Sequence, residues 1–489
     1  MDRKTSAAKV LPFLKKHWPE CLAAAAAVAV WGLLFDRFLV NDIDDTWTTS
    51  WIYYFIHDGQ TRDMIFMEQV PEYWGVRFFS HIFCWICGAV LSVIGFTRSN
   101  VHLLSNLWML GGLALWYQVG KRVWQDRKQA AELVLLLALS TIVVSAANKG
   151  RSDAFIFLLQ SASLALFAGK HYFSALLTLC LAVETHPIGI LGGCYLAGWT
   201  VVYDRDLLRL KNLSGLFRLI AGGLAGLGIY LLLHASELRN FGTMLDSMDA
   251  PANFLLMHFF GREHFAWRYW PDLALFSAAA VWSLIRLAVD KKCSFALAST
   301  LFLLAGSLVI RRGNFHYALF CYPAFLMLAW ETFGRFELKR IPLLLVLWAG
   351  LQLPQFLYLI HRNLSCRDYA VYRQFLSETE FPADAVICGH PADWFGLQKY
   401  RGFRSLTHYH PPKSEFYLIQ HDGTRYQQPD IPPVPDKNLQ LQELRSIRLP
   451  SGGTVRILKA KAIPAAEPPD GKKTSAPSER KSSGEHDRP

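Results

Sequence analysis

Long apolar runs separated by short polar connectors set the character of the chain. Runs long enough, or nearly long enough, to span the hydrocarbon core of a bilayer lie at 20–40, 101–120, 131–147, 153–169, 172–185, 187–203, 216–234, 271–289, 294–310, 315–331 and 341–360. Each predicts a membrane helix, and several are short enough to leave their ends soft. A further apolar segment, Tyr73 to Phe96, decides the sidedness of everything after it. If it does not cross, the connectors KRVWQDRK (121–128), Arg205 to Lys211, Asp290 to Lys292 and GRFELKR (334–340) all fall on the side of the basic N-terminus, as the positive-inside bias requires. If it crosses fully, the same clusters land outside, against that bias. The segment is therefore predicted as a juxtamembrane or re-entrant pair of short helices, which suits its Arg77, His81 and Trp-rich edges; two spans are the alternative.

The pattern predicts a polytopic α-helical membrane protein of about eleven to thirteen spans. Residues 1–19 form a cytoplasmic N-terminus, 20–360 the transmembrane domain, and 41–100 a first outer loop with juxtamembrane helices. After Ile360 the pattern changes. DAVICGHP and SIRLPSGGTVRILKA read as short strands with turns and Arg367 to Leu376 as a short helix, so 361–460 is predicted as a small outer α/β domain. Residues 461–489 carry almost no large apolar side chains and predict a disordered tail. No internal repeat is evident, which counts against an inverted-repeat transporter.

Composition agrees with the membrane class: 52% of the 489 residues are hydrophobic and only 18% charged, too apolar for an ordinary soluble chain. Lys4, Lys9, Lys15 and Lys16 precede the first apolar run, but no small-residue cleavage site follows it, so that run reads as a retained span and not a signal peptide. The net charge of +11 sits largely in the connectors, where the positive-inside bias accounts for it without nucleic acid. Most of the nine cysteines lie in or beside apolar runs as small hydrophobes. Cys84 and Cys87 form C-x-x-C without a second pair or a His pattern, which argues against zinc or redox chemistry. Cys366 and Cys388 alone lie in polar surroundings, and nothing in the sequence supports a bond between them.

With this topology the aspartate loop, the NKGRSD turn (148–153), the ETHP turn (184–187), the segment 235–270, the RRGNFH turn (311–316) and the C-terminal region share the outer face. In the first of these, VNDIDDTWTTSWIYYFIHDG, the carboxylates of Asp42, Asp44 and Asp45 crowd the exit of the first span. Trp47, Trp51, Tyr54 and Phe55 follow at helical spacing and Gly59 closes the stretch, so the acidic pair begins an interfacial amphipathic helix. Capping that helix needs one carboxylate and leaves two unexplained. Asp153, opening a span, reads as an N-cap or a functional acid. Glu184 and His186, two residues apart at a span boundary, read as ligands of a divalent cation or of an acceptor, or as ordinary helix-end groups.

These motifs, in this order, resemble the C-type superfamily of polyprenyl-phosphate-sugar glycosyltransferases, which includes protein O-mannosyltransferases and lipid A aminoarabinose transferases. An acidic pair follows the first span, and a juxtamembrane helix closes on Gly59; the pair is Asp-Asp here where the family usually has Asp-Glu. A span ending in GKRVW, an R-x-D turn (Arg151, Ser152, Asp153) and NFHYALFCYP (314–323) complete a resemblance that covers residues 20–360.

The resemblance implies transfer of a sugar from a polyprenyl-phosphate donor to an acceptor (protein, lipid or polysaccharide) on the outer face, with inversion, in a bacterial inner membrane. It implies Asp44 as general base, with Asp45 beside it in the catalytic pair. Lys149, Arg151, Arg311 and Arg312 supply the outer-face cations a leaving phosphate needs; alternatively the last two anchor a span at the headgroups. His316 and Tyr317 would contact sugar or lipid, or serve as interfacial aromatics. A divalent cation, magnesium or manganese, is required in some branches of the superfamily and not in others, so the acidic cluster leaves that requirement open. Two other classes compete. A transporter or flippase for lipid-linked sugars predicts ionisable residues at mid-span, which the runs nearly lack. A non-catalytic binder of lipid carriers would tolerate loss of Asp44.

Overall fold

The computed structural model describes residues 18, 21, 25, 28, 31, 32, 43–59, 64–65, 79–238, 270–289, 293–309, 315–338, 341–363, 367–405, 415–424 and 439–462. Most of the expected N-terminus and first span, most of 235–270, Cys366 and the expected tail from 463 on lie outside the described residues; Lys461 and Ala462, expected in the tail, end a β-strand that pairs with its neighbour. Trp31 of the first run is buried, and its indole donates to the Ala138 carbonyl (3.2 Å), so that run packs against the bundle.

The aspartate stretch forms α1 (Ile43–Asp58), closed by Gly59 at φ +62°, a backbone region that glycine enters without a Cβ penalty. The described part of the 73–96 segment is a single helix, α2 (His81–Ile94), where a pair was expected. At 14 residues it is about 21 Å long, too short to cross a core of about 30 Å. It buries Phe83, Cys84, Cys87 and Leu91 and exposes Trp85, Ile86, Val93 and Ile94, an arrangement suited to lying against lipid. Next come α3 (Arg98–Trp124), started by Thr97 accepting from the Asn100 amide, α4 (Arg127–Ala138), α5 (Thr141–Ala147), α6 (Asp153–Ala168) and α7 (Tyr172–Thr185). A 3-10 turn (Pro187–Leu191) leads into α8 (Gly192–Tyr203), followed by α9 (Leu213–Leu233), α10 (Trp270–Val289), α11 (Phe295–Val309), α12 (Tyr322–Phe333) and α13 (Leu343–Asn363).

Among the described residues, two stretches, Leu213–Leu233 and Leu343–His361, are long and apolar enough for a full span, and α4 with α5 makes a third if the bent pair is one span. The remaining apolar helices are shorter, because the runs are interrupted where polar or imino residues fall. The run at 131–147 bends by 70° between α4 and α5, where the Ser140 hydroxyl bonds back to the Leu136 carbonyl (2.8 Å) and competes with the helical ladder. Pro323 starts a new helical segment inside the run 315–331, and Pro187 opens the 3-10 turn that begins the run 187–203. The bend is held from outside: Gln352 of α13 accepts from the Thr141 amide (2.8 Å) and hydroxyl (2.6 Å), and Trp348 donates to the Leu136 carbonyl (3.0 Å). In an apolar bundle such bonds satisfy backbone groups that water cannot reach. Gly222 and Gly226 of α9 face Phe173 and Cys180 of α7 so closely that a Cβ would collide, a small-residue contact of the kind that brings membrane helices together. At the end of the bundle away from α1, Lys128 pairs with Glu337 (3.1 Å), which joins the two basic connectors.

The C-terminal domain consists of α14 (Arg367–Ser377) on a five-stranded mixed sheet of β1 (Ile387–Gly389), β2 (Phe403–Ser405), β3 (Phe416–Asp422), β4 (Leu439–Arg448) and β5 (Thr454–Ala462), in the order β2-β1-β3-β5-β4. The β1 strand is parallel to β2 and β3, and the others pair antiparallel. Tyr372, Trp394, Phe403, Ile387 and Ile457 fill its core together with Tyr54 of α1. The domain is fastened to the first loop by Arg401 to Asp58 (2.5 Å), Gln398 to the Phe96 carbonyl (2.5 Å) and the Ser405 amide to the Ile65 carbonyl (2.9 Å).

Buried Asp393 accepts from the His390 amide (2.8 Å) and pairs with His421 (3.0 Å). Burial, opposed by Asp393 and helped by His421, pulls His390 down to about 4 from 6.5. A depressed imidazole contributes stability above the unfolded value, and that contribution is lost as pH falls through the folded one. The domain is therefore expected to lose up to about 3 kcal/mol between about pH 6.5 and 4, levelling off below. Unfolding midpoints measured across that range in wild type and His390→Asn, which keeps an acceptor for the Ala392 amide, check this: the slope should flatten in the variant.

Candidate active site

Two short segments far apart in sequence build the acidic site. The first turn of α1 brings Asp44 and Asp45, where the helix N-terminus favours negative charge. The second is the turn between α5 and α6, which brings Lys149, Gly150, Arg151 and Asp153. The α3 helix fixes that turn: Ser105 donates to the Lys149 carbonyl (2.7 Å), and Asn106 to the Ala147 carbonyl (2.8 Å).

Asp45 is only 3% exposed, and its carboxylate is met from three sides. The Gly150 amide donates to Oδ1 (2.5 Å), His102 Nε2 lies 2.9 Å from Oδ2, and Arg98 Nε lies 3.6 Å from the same oxygen. An ionised carboxylate only accepts, so His102 carries its proton on Nε2. Arg98 and His102 are one turn apart on α3, which puts both on one face. Gly150 comes close enough to the Asp45 backbone that an added Cβ would sit 3.2 Å from Cα and 2.9 Å from Val101, so the amide reaches the carboxylate because no side chain stands between them.

Asp44 differs from its neighbour. Its side chain is 27% exposed, and Arg151 Nη1 holds it at 2.5 Å while Arg151 Nε binds Asp153 at 2.8 Å. Burial alone would lower the Arg151 pKa, but Asp153 and Asp44 outweigh it and raise the guanidinium above its ordinary value. Arg151 is thus a permanent cation between two carboxylates. Lys149 is buried beside it.

Glu184 and His186 serve a neighbouring junction. Glu184 Oε1 accepts from the His81 amide (2.7 Å) and lies 3.2 Å from His234 Nε2, while the Ser80 amide donates to the Glu184 carbonyl (2.6 Å). These bonds tie the start of α2 to the ends of α7 and α9. His81 and His234 stack at 4.1 Å. Burial first, and His234 after it, lower the His81 pKa, which favours a neutral ring there. His186 Nδ1 accepts from the Ile188 amide, and its Nε2 lies 3.2 Å from the Tyr317 hydroxyl. Tyr317 in turn interacts electrostatically with Arg151, linking the two groups.

Asp42, Arg311, Arg312 and the side chain of His316 lie outside the described residues. Among the described residues, no three His, Cys, Asp or Glu side chains converge as a metal site, and the guanidinium of Arg151 stands between Asp44 and Asp153. The described donor set does not fit a divalent cation. Arg98, His102, Gly150, His81 and His234 were not expected at either junction; only an alternating face of polar residues on α3, at positions 98, 102, 105 and 106, hints at them in the sequence.

No family model and no curated protein matches the chain. Solved structures do. The crystal structure of ArnT from Cupriavidus metallidurans bound to undecaprenyl phosphate is 14% identical, with a TM-score of 0.59, over 92% of this chain and 99% of that one. The same protein in the apo state is 13% identical, with a TM-score of 0.55, over 89% and 97%. The chain has the ArnT fold along nearly its whole length, as the resemblance of its motifs to the C-type superfamily implied.

Removing one partner of a fully buried ion pair costs about 3 to 5 kcal/mol, whereas Asp44, 27% exposed, keeps an acceptor oxygen for Arg151 when replaced by Asn and loses part of that at most. Asp45→Ala is therefore expected to lower the thermal midpoint in detergent strongly and Asp44→Asn clearly less. Equal midpoints for the two variants would contradict the division between a buried and an accessible carboxylate.

Proposed function

We propose that the protein is an integral membrane glycosyltransferase that moves a sugar from a polyprenyl-phosphate donor to an acceptor on the outer face of the membrane. The observation that carries this is the accessible Asp44 carboxylate, fixed by Arg151 (2.5 Å) at the start of α1, in a fold shared with a protein crystallised with undecaprenyl phosphate. The basic connectors joined by Lys128 and Glu337 at the other end of the bundle favour a cytoplasmic location for that end. The acidic site and the C-terminal domain then face outward, which for a bacterial inner membrane is the periplasm.

In this reading Asp44 is the general base. It takes the proton of the acceptor hydroxyl or amine as that atom attacks the anomeric carbon, and the bond from that carbon to the phosphate oxygen breaks. The electron pair leaves with the polyprenyl phosphate, and attack from the opposite face inverts the configuration. Arg151 orients Asp44 toward the acceptor. Asp45 is assigned a positioning role and not a share in the chemistry, because it is buried and fully engaged by α3 and Gly150. Lys149, Arg151, Arg311 and Arg312 are the cations assigned to the donor phosphate, with His316 and Tyr317 toward the sugar or lipid. No step is routed through a divalent cation.

The test uses purified protein in lipid nanodiscs with a panel of undecaprenyl-phosphate sugars and envelope extract as acceptor source. Wild type should release undecaprenyl phosphate from at least one donor, and Asp44→Asn should reduce the rate by about 100-fold to 10,000-fold while undecaprenyl-phosphate binding and the thermal midpoint persist. No release from any donor, with equal carrier binding by both proteins, would shift the assignment to a carrier-binding or transport protein.

A further inference from the structure

We infer that the C-terminal domain sets the geometry of the acidic pair through one stacked contact, Tyr369 of α14 against Arg98 of α3. The inference rests on the transferase reading above and adds a positioning residue to it. The Arg98 guanidinium centre lies 5.1 Å from the centroid of the Tyr369 ring, while its Nε faces Asp45 Oδ2 at 3.6 Å. Arg98 and Tyr369 are 3% and 7% exposed. A guanidinium at that distance from its carboxylate needs a second surface to fix its plane, and an aromatic face supplies one. The Asp45 anchor is therefore shared between the membrane bundle and a domain whose first helix begins about 320 residues after Asp45.

The Tyr369 ring is braced in turn by the core of its own domain. Tyr372 meets it edge-on at 5.4 Å, the His421 ring meets Tyr372 at 5.3 Å, and His421 is pinned by fully buried Asp393. The same domain grips the other end of α1. Trp394 donates to the Tyr54 hydroxyl (3.4 Å) and packs on Tyr53, and Arg401 pairs with Asp58. The domain thus holds the far end of α1 directly and its first turn through Arg98. Asp44 and Asp45 are adjacent in its first turn, so a rotation of α1 that relaxed Asp45 would move Asp44 relative to Arg151. Tyr369 touches neither reacting atom; it acts through Arg98 and Asp45.

The experiment compares full-length wild type, Tyr369→Leu and Tyr369→Phe in nanodiscs, by transfer from the undecaprenyl-phosphate sugar that wild type uses and by hydrogen exchange. Tyr369→Leu should lower kcat by about 10-fold to 100-fold with KM for the donor within about twofold, and Tyr369→Phe, which keeps the ring, should restore kcat. Backbone amides of the first turns of α1 should exchange faster in Tyr369→Leu but not in Tyr369→Phe, while those of α6 stay protected. Wild-type kcat and unchanged α1 exchange in Tyr369→Leu would overturn the inference. Loss of protection spread over α6 as well would also overturn it, since the residue would then serve the fold at large. Should wild type release no sugar from any donor, the transferase reading fails, and the exchange measurement still decides whether Tyr369 holds α1.

Discussion

A carboxylate out of reach of water organises this protein. Asp45 is 3% exposed, and an ionised group so placed is tolerated only when paired and hydrogen-bonded on every side. Its partners come from α3 (Arg98 and His102) and from the amide of Gly150 in the turn before α6. Satisfying one side chain therefore fixes where α1 begins, how it lies on α3, and how closely the following turn approaches. The same turn carries Arg151 and Asp153. The neighbouring Asp44 pairs with Arg151 and keeps 27% of its side chain exposed. Of two adjacent acids, the fold spends one as an anchor and presents the other.

The sequence showed the participants more clearly than their roles. The acidic pair, the R-x-D turn and their shared end of the bundle were legible because charge is conspicuous among apolar runs. Which acid would be buried was not legible, since that depends on Arg98 and His102, more than 50 positions further along and set in a run that reads as ordinary membrane helix. Glu184 and His186 stood out for the same reason as the aspartates, yet Glu184 is engaged with the His81 amide and His234, partners that no local spacing discloses. The helical class and the C-terminal strands were legible from periodicity. The interruptions were not: a run with a serine or proline inside it has nearly the hydropathy of an unbroken one, and only the backbone shows the 70° bend after α4.

The two polar junctions use different chemistry for different purposes. Around Asp45 and Arg151, three carboxylates meet two guanidinia and the His102 imidazole. Around Glu184 the partners are imidazoles, one of them stacked on the other and held neutral by burial. The first junction fixes α1 and the second fixes the start of α2, so the segment after the first apolar run is pinned at both of its described helices while its exposed apolar face, with Trp85 and Val93, is left to the surroundings.

The bond from Gln352 to Thr141 acts as a depth stop. Gln352 of α13 grips the bend between α4 and α5 (2.6 and 2.8 Å); α5 in turn leads straight into the turn bearing Arg151. If α13 slid along its own axis by a single helical step, it would strand these buried groups. The helix that precedes the C-terminal domain and the turn that carries Arg151 are therefore referred to the same kink.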